Sequence, residues 1–228
     1  MSVHDGHRER LKEQFVENGI AGFSDYSALE LLLFYAIPRR NTNELAHALL
    51  DHFDTLDRVL SATVNELEEV PGIGRNTAIL ITFIPQILKK AQISKSKEMK
   101  QIITSKDAGN YLMPYYMFEE NEVLVVLFLD TQRRVICCKE MSRGTVSSVE
   151  ANVRRIVETA LKYRASFVII SHNHPDGIAI PSREDDYVTK EVYSSLKLVN
   201  IELVDHIIVA DGEFVSVADS GVFGLYKF

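Results

Sequence analysis

The sequence has no tryptophan, only two cysteines, and no apolar run approaching the roughly 18 residues that a membrane-spanning helix needs. A helical membrane protein is thereby excluded. The opening stretch from Met1 to Glu13 is too charged for a secretory signal, so the chain is expected to stay in the cytoplasm. Cys137 and Cys138 are adjacent in a strand-like run, where successive side chains face opposite ways, which rules out a disulfide framework. No second cysteine pair completes a thiolate metal site, and a buried structural role follows. Basic residues are also short: 25 Lys and Arg against 32 Asp and Glu give a formal net charge of -7. Residues 1–100 carry 14 acidic and 12 basic side chains and the remainder 18 and 13, so neither part is basic. A protein that coats nucleic acid is excluded, and any DNA contact must be local. What remains is a globular chain of 228 residues, 46% apolar and 25% charged, long enough for one large domain or two modest ones.

The most informative stretch is Ile170-Ser171-His172-Asn173-His174-Pro175-Asp176-Gly177, continued by Pro181-Ser182-Arg183-Glu184-Asp185. Phe167 to Ile170 is a short β-rich run, and residues two apart on a strand share a face, so His172 and His174 point the same way and Asn173 points away. Pro175-Asp176-Gly177 ends the strand. Val188, Val192, Leu196 and Val199 then repeat at helical spacing behind Ser182. A loop of this length can fold the first helical turn over the strand end and bring Asp185 to the imidazoles. Two His nitrogens and one carboxylate form the open ligand set of a catalytic zinc, with water in the fourth position. The same Ser182-x-x-Asp185 spacing is also a capping box, in which both side chains satisfy free backbone N–H groups.

His-x-His, seven residues, Ser-x-x-Asp resembles the JAMM metallohydrolase motif, matched by His172, His174, Ser182 and Asp185. His-Asn-His-Pro-x-Gly, Pro-Ser-Arg-Glu-Asp and Asp205-His206-Ile207-Ile208 resemble its RadC branch. The resemblance implies a catalytic glutamate at the start of the strand leading into a Leu-Asp turn. Glu122, eight residues before Asp130, fits, with Glu119 and Glu120 as competitors. Ser182 is expected to donate its hydroxyl to an oxyanion, and His206 to stand behind the metal or in the core rather than to ligate. Ile178-Ala179-Ile180 departs from the family's usual polar loop.

Residues 1–90 read as a small all-helical domain, with apolar clusters at Leu29 to Phe34, Asn43 to Phe53 and Leu56 to Leu60. Val70-Pro71-Gly72-Ile73-Gly74-Arg75 and the following Asn76-Thr77-Ala78 resemble a helix-hairpin-helix. Its glycines permit φ > 0 and leave backbone N–H groups uncovered at a helix start, which suits a phosphate oxygen. Gly72, Ile73, Gly74 and Arg75 are therefore candidate DNA contacts that read no base sequence. The alternative is a tight turn between packed helices. Gly6-His7-Arg8-Glu9-Arg10-Leu11 also resembles the helical domain of RadC proteins.

Residues 91–104 begin Lys- and Ser-rich without apolar periodicity and read as a linker. Residues 105–228 then read as an α/β domain. The expected order is a helix from Ser105, strands at Glu122 to Leu129 and Arg134 to Glu140, a helix over Ser147 to Tyr163 opened by a Ser147-x-x-Glu150 capping box, the metal strand and the Ser182 helix. A hairpin around Asp211-Gly212 closes it. The fold class is a mixed sheet flanked by helices, which the resemblance implies is of the JAMM and cytidine-deaminase-like kind.

The leading function is a zinc-dependent amide hydrolase, peptidase or isopeptidase-like, acting on a peptide or protein that the sequence does not identify. The alternative is a DNA-repair or DNA-processing protein that binds DNA weakly through the hairpin and is not a peptidase. A zinc nucleobase deaminase would need His-x-Glu with Pro-Cys-x-x-Cys, and no Cys-x-x-Cys exists.

Overall fold

A computed structural model describes residues 3–144, 149–175 and 177–220. The chain divides into two compact units, Met1–Leu88 and Lys89–Phe228. The first holds α1 (Val3–Asn18), α2 (Asp25–Ala36), α3 (Asn43–Phe53), α4 (Leu56–Ser61), α5 (Val64–Glu68) and most of α6 (Arg75–Ser96). Helices α2, α4 and α5 start where a hydroxyl satisfies a free N–H: Ser24 caps α2, Thr55 caps α4, and Thr63 forms a capping box with Glu66 on α5. Leu29, Leu33, Leu49, Val59, Leu67 and Ile81 fill the core between them. At the amino end, Arg8 donates to the carbonyls of Ile37 and Arg40 and lies over the Phe34 ring, tying α1 to the end of α2 and the chain beyond it.

The second unit continues with α7 (Ser105–Leu112), β1 (Val123–Leu129), β2 (Val135–Arg143), α8 (Val149–Tyr163), β3 (Phe167–Asn173), α9 (Arg183–Lys197), β4 (Glu202–Ala210), β5 (Glu213–Ser216) and α10 (Val217–Ser220). The strands form a five-stranded mixed sheet in the order β2-β1-β3-β4-β5. Among the described strands only β3 and β4 are parallel, with α9 as their crossover. Both faces are covered, so the central strands are apolar throughout rather than alternating. Val125, Leu127, Leu129, Ile169 and Ile207 pack on one face with Ala108 and Leu112 of α7. Val126, Phe128, Val168 and Ile170 pack on the other with Ile156 and Ala160 of α8 and Val192 and Leu196 of α9. At the β4–β5 turn Asp211 and Gly212 both have positive φ, 46° and 72°, as a two-residue hairpin of this hand requires.

The expected linker is largely structured. Helix α6 runs through Ser96, Gln101 bridges Arg134 at the start of β2, and Ile102 is fully buried in the core of the second unit. A helical turn facing solvent needs no apolar stripe, only backbone hydrogen bonds and residues such as Ala91, Gln92 and Lys95 that tolerate the conformation. The Ser147–Glu150 capping box lies outside the described residues.

Candidate metal centre

His172 and His174 occupy the last strand position but one and the first residue past β3, while Asp185 sits in the first turn of α9. His172 Nε2 lies 2.8 Å from His174 Nε2 and 2.9 Å from Asp185 Oδ1, and His174 Nε2 lies 3.5 Å from Asp185 Oδ2. One ligand atom from each residue falls within 4.8 Å of the others, a group able to hold a metal ion. Tetrahedral bonds of about 2.0–2.1 Å would place ligand atoms about 3.3 Å apart, and the observed separations bracket that value. The donor chemistry fits as well. His174 Nδ1–H donates to the Ile178 carbonyl at 3.0 Å, so the Nε2 of the neutral ring is a lone pair turned toward His172 and Asp185.

Both meanings of the Ser182-x-x-Asp185 spacing are realised at once. Ser182 caps α9, its Oγ accepting the Asp185 N–H at 3.1 Å, while Asp185 Oδ2 accepts the Ser182 N–H at 2.8 Å. Burial alone would raise the Asp185 pKa. The His172 bond and charge, with the two Ser182 contacts, outweigh it and hold the carboxyl below the usual carboxylate range. Behind these three residues, His172 Nδ1 meets His206 Nε2 at 2.7 Å, and His206 Nδ1 meets Thr189 Oγ1 at 2.7 Å. His206 is buried and does not belong to the ligand group. Burial first, and then repulsion from His172, push its pKa well below the ordinary imidazole value.

Glu122 lies one residue before β1. Leu124 pairs with His172 in the antiparallel β1–β3 register, and continuing that register by two residues sets Glu122 opposite His174 on the histidine face. Its side chain is exposed, and among the described residues its carboxylate makes no ion pair. Glu119 is engaged elsewhere, bonded to both Lys89 and Arg143. Ser182 is exposed and accepts its capping bond, leaving the hydroxyl proton uncommitted among the described residues.

Sequence reasoning missed two participants. Thr189, one helical turn after Asp185, looks like an ordinary helix position. Asn173 was expected only to face away, yet its side-chain oxygen accepts the Val123 N–H at 2.8 Å and its nitrogen donates to the Asn121 carbonyl at 3.1 Å. The Ser/Thr-after-Asp spacing of four was the available signal for the first; the second had none.

With this geometry in view, a family model described as the RadC-like JAB domain matches residues 102–222, and one described as UPF0758 N-terminal matches residues 6–79. A UPF0758 protein of Fusobacterium nucleatum subsp. nucleatum is 33% identical over 227 residues, covering 96% of this chain and 97% of that protein. The chain belongs to the RadC family. Its helical unit followed by a mixed sheet flanked by helices is the architecture of a JAB domain with an added amino-terminal segment. Among the described residues, no helix of this RadC-family chain is long and apolar enough to cross a membrane.

The RadC amino-terminal segment contains the hairpin turn between α5 and α6. Gly72 adopts φ 95°, and a Cβ there would meet Leu45 Cδ2 at 2.6 Å. Gly74 differs from the expectation: its φ is not positive, and a Cβ would meet nothing within 4 Å. Ile73 is 5% exposed and belongs to the helical core, so its side chain serves packing rather than contact with a ligand. Arg75 is exposed and paired with Glu68 at 3.3 Å.

Proposed function

We propose that this RadC-family chain is a zinc-dependent hydrolase of amide bonds acting on a peptide or protein. The observation that carries the reading is the convergence of the His172, His174 and Asp185 donor atoms, with Glu122, which has no ion pair among the described residues, on the same face of the sheet. Zinc held by these three residues would supply Lewis acidity and bring the pKa of water toward roughly 7. Glu122 then takes a proton from the attacking water and returns it to the departing amine. Ser182, whose hydroxyl oxygen accepts its capping bond, donates its proton to the oxyanion of the tetrahedral intermediate. Asp185 would face the cation as a carboxylate, its Oδ2 steadied by the Ser182 N–H.

A zinc-loaded sample incubated with peptide libraries, ubiquitin-like fusions and DNA tests the reading. Cleavage of an amide substrate that stops on chelation and resumes with zinc is the expected result. Cleavage of DNA alone, with every amide intact, would overturn it.

We further propose that the helical unit contributes weak, sequence-independent DNA contact through the backbone at Gly72, Gly74 and Arg75. Its support is the exposed turn, opened by the positive φ of Gly72, at the start of α6. The neighbouring Glu68 and Glu69 limit the attraction, so binding would be lost readily with salt.

A further inference from the structure

Thr189 Oγ1 lies 2.5 Å from the Asp185 carbonyl oxygen and 2.7 Å from His206 Nδ1. A hydroxyl has one proton to give. A carbonyl oxygen has none, so at 2.5 Å the Thr189 proton must go to Asp185, and Thr189 must accept from His206 Nδ1–H. His206 therefore presents the lone pair of Nε2, which accepts from His172 Nδ1–H at 2.7 Å. The directions follow one from the next. With Nδ1–H committed to His206, the Nε2 of the neutral His172 ring is the lone pair turned toward Asp185 and His174, the state that a metal ligand requires. Thr189 is fully buried and His206 is 1% exposed, so no water can substitute for either partner.

A distortion of the sheet serves this arrangement. In the parallel β3–β4 ladder Val168 pairs with Leu203 but Ile169 pairs with Asp205, so β4 carries one extra residue at Val204. Without the bulge, strict alternation would turn His206 to the face opposite His172, because a one-residue slip exchanges the two faces of a strand. Bulges of this kind re-aim single side chains, and here the residue re-aimed is the one that meets the ligand.

We propose that Thr189 and His206 are positioning residues of the metal centre, closing a circuit from Asp185 through Thr189 and His206 to His172 that fixes the tautomer and ring orientation of His172. The circuit joins two ligands from different elements, α9 and β3, through a third, β4. This inference rests on the metal reading above, and the two fail in different ways.

The experiment combines zinc affinity, measured by competition with a chelator, and histidine side-chain ¹⁵N spectra of the full chain and its variants. In the metal-free wild type, scalar coupling across the N–H···N bond between His172 and His206 is expected, with the proton on His172 Nδ1. In Thr189→Val the shape is kept, but His206 Nδ1–H has no acceptor. The ring is then driven to the other tautomer, which aims a proton at His172, and zinc affinity should fall by about 10- to 100-fold. His206→Leu should fall as far. His206→Gln, able to accept from His172 and donate to Thr189, should stay within a few-fold of wild type. Should His206→Leu fail to fold, the Thr189→Val and His206→Gln pair decides. Wild-type affinity with an unchanged His172 spectrum in Thr189→Val would overturn the circuit. A wild type that shows the coupling but takes up no zinc would instead overturn the metal reading and leave the circuit standing; absence of the coupling overturns the circuit whatever the zinc result.

Discussion

Asn173 holds Val123: the carboxamide of the residue between the two histidines accepts the Val123 N–H at 2.8 Å and donates to the Asn121 carbonyl at 3.1 Å. One side chain thus grips the backbone on both sides of Glu122. Because Asn173 is buried, the grip is not exchanged for water. Asn173→Ala should free the start of β1 and lower kcat by about tenfold or more, since small misplacements of an acid–base group are costly. Zinc content, measured beside turnover, should not change.

Glu122→Gln should retain zinc and fold while losing roughly 10²- to 10⁴-fold in kcat, the share that a positioned acid–base group supplies. Glu119→Gln separates the two glutamates. It should keep turnover but lower stability by about 1–2 kcal/mol, because Lys89 and Arg143 lose a largely buried partner while Arg143 keeps Glu140. Thermal melts and hydrolysis rates on both variants check this. An active Glu122→Gln would move the proton relay to another residue.

Elemental analysis should find one zinc per chain, and Asp185→Ala should lose most of it with the fold retained. Affinity should also weaken as pH falls, because a metal ion binds deprotonated donors and releases protons on binding. Full zinc occupancy in Asp185→Ala would remove Asp185 from the ligand set.

In the metal-free protein two buried carboxyls bend the stability profile in opposite senses. Asp205 is pushed up to about 6 from 3.8 by burial, against hydrogen bonds from Ser216, Ala218 and His206. Its folded pKa is the higher one, so its contribution is complete below pH 4 and is lost as pH rises through about 6. Asp185, held low, contributes above the ordinary carboxylate pKa and loses that contribution as pH falls further. Denaturant titrations of wild type and Asp205→Asn should converge in acid and separate in favour of the variant by about 2–3 kcal/mol between pH 4 and 7. A constant offset across that range would contradict the assignment to Asp205.

The hairpin offers a clean probe at Gly74, where a side chain meets no neighbour. Gly74→Glu should leave the melting temperature within about 1–2 °C of wild type, as surface changes usually do. Any DNA binding should be abolished by the charge placed over the uncovered N–H groups. Gly72→Ala should instead destabilise by about 1–3 kcal/mol through its positive φ and the Leu45 contact. Unchanged DNA binding in Gly74→Glu would remove the hairpin from the interface.

Much of the second unit was legible because its signals are local. His172 and His174 are two apart on a strand, Ser182 and Asp185 three apart at a helix start, and Asp211-Gly212 can form one kind of hairpin turn. The rest depends on pairing between distant segments. The bulge at Val204 is what sets His206 on the same face of the sheet as His172, and nothing in the sequence of Glu202 to Ala210 marks it. Asn173's grip on Val123 spans 50 residues of sequence and leaves no pattern in it. The carboxyl end of α6 was misread for the opposite reason: a solvent-facing turn carries no apolar periodicity even when it is regular helix. Gly74 was credited with a backbone freedom that only Gly72 uses.

Asp185 caps a helix with the same carboxylate that faces the imidazoles, which makes this position sensitive to length as well as charge. Glutamate would carry an equal charge and coordinate an equal cation. With one more methylene, however, its oxygens would reach past either the Ser182 N–H or the His172 nitrogen, since both are met at 2.8–2.9 Å by the shorter chain. The position should therefore reject the most conservative of exchanges, and Asp185→Glu should fray the first turn of α9 or empty the centre even though nothing about its electrostatics has changed.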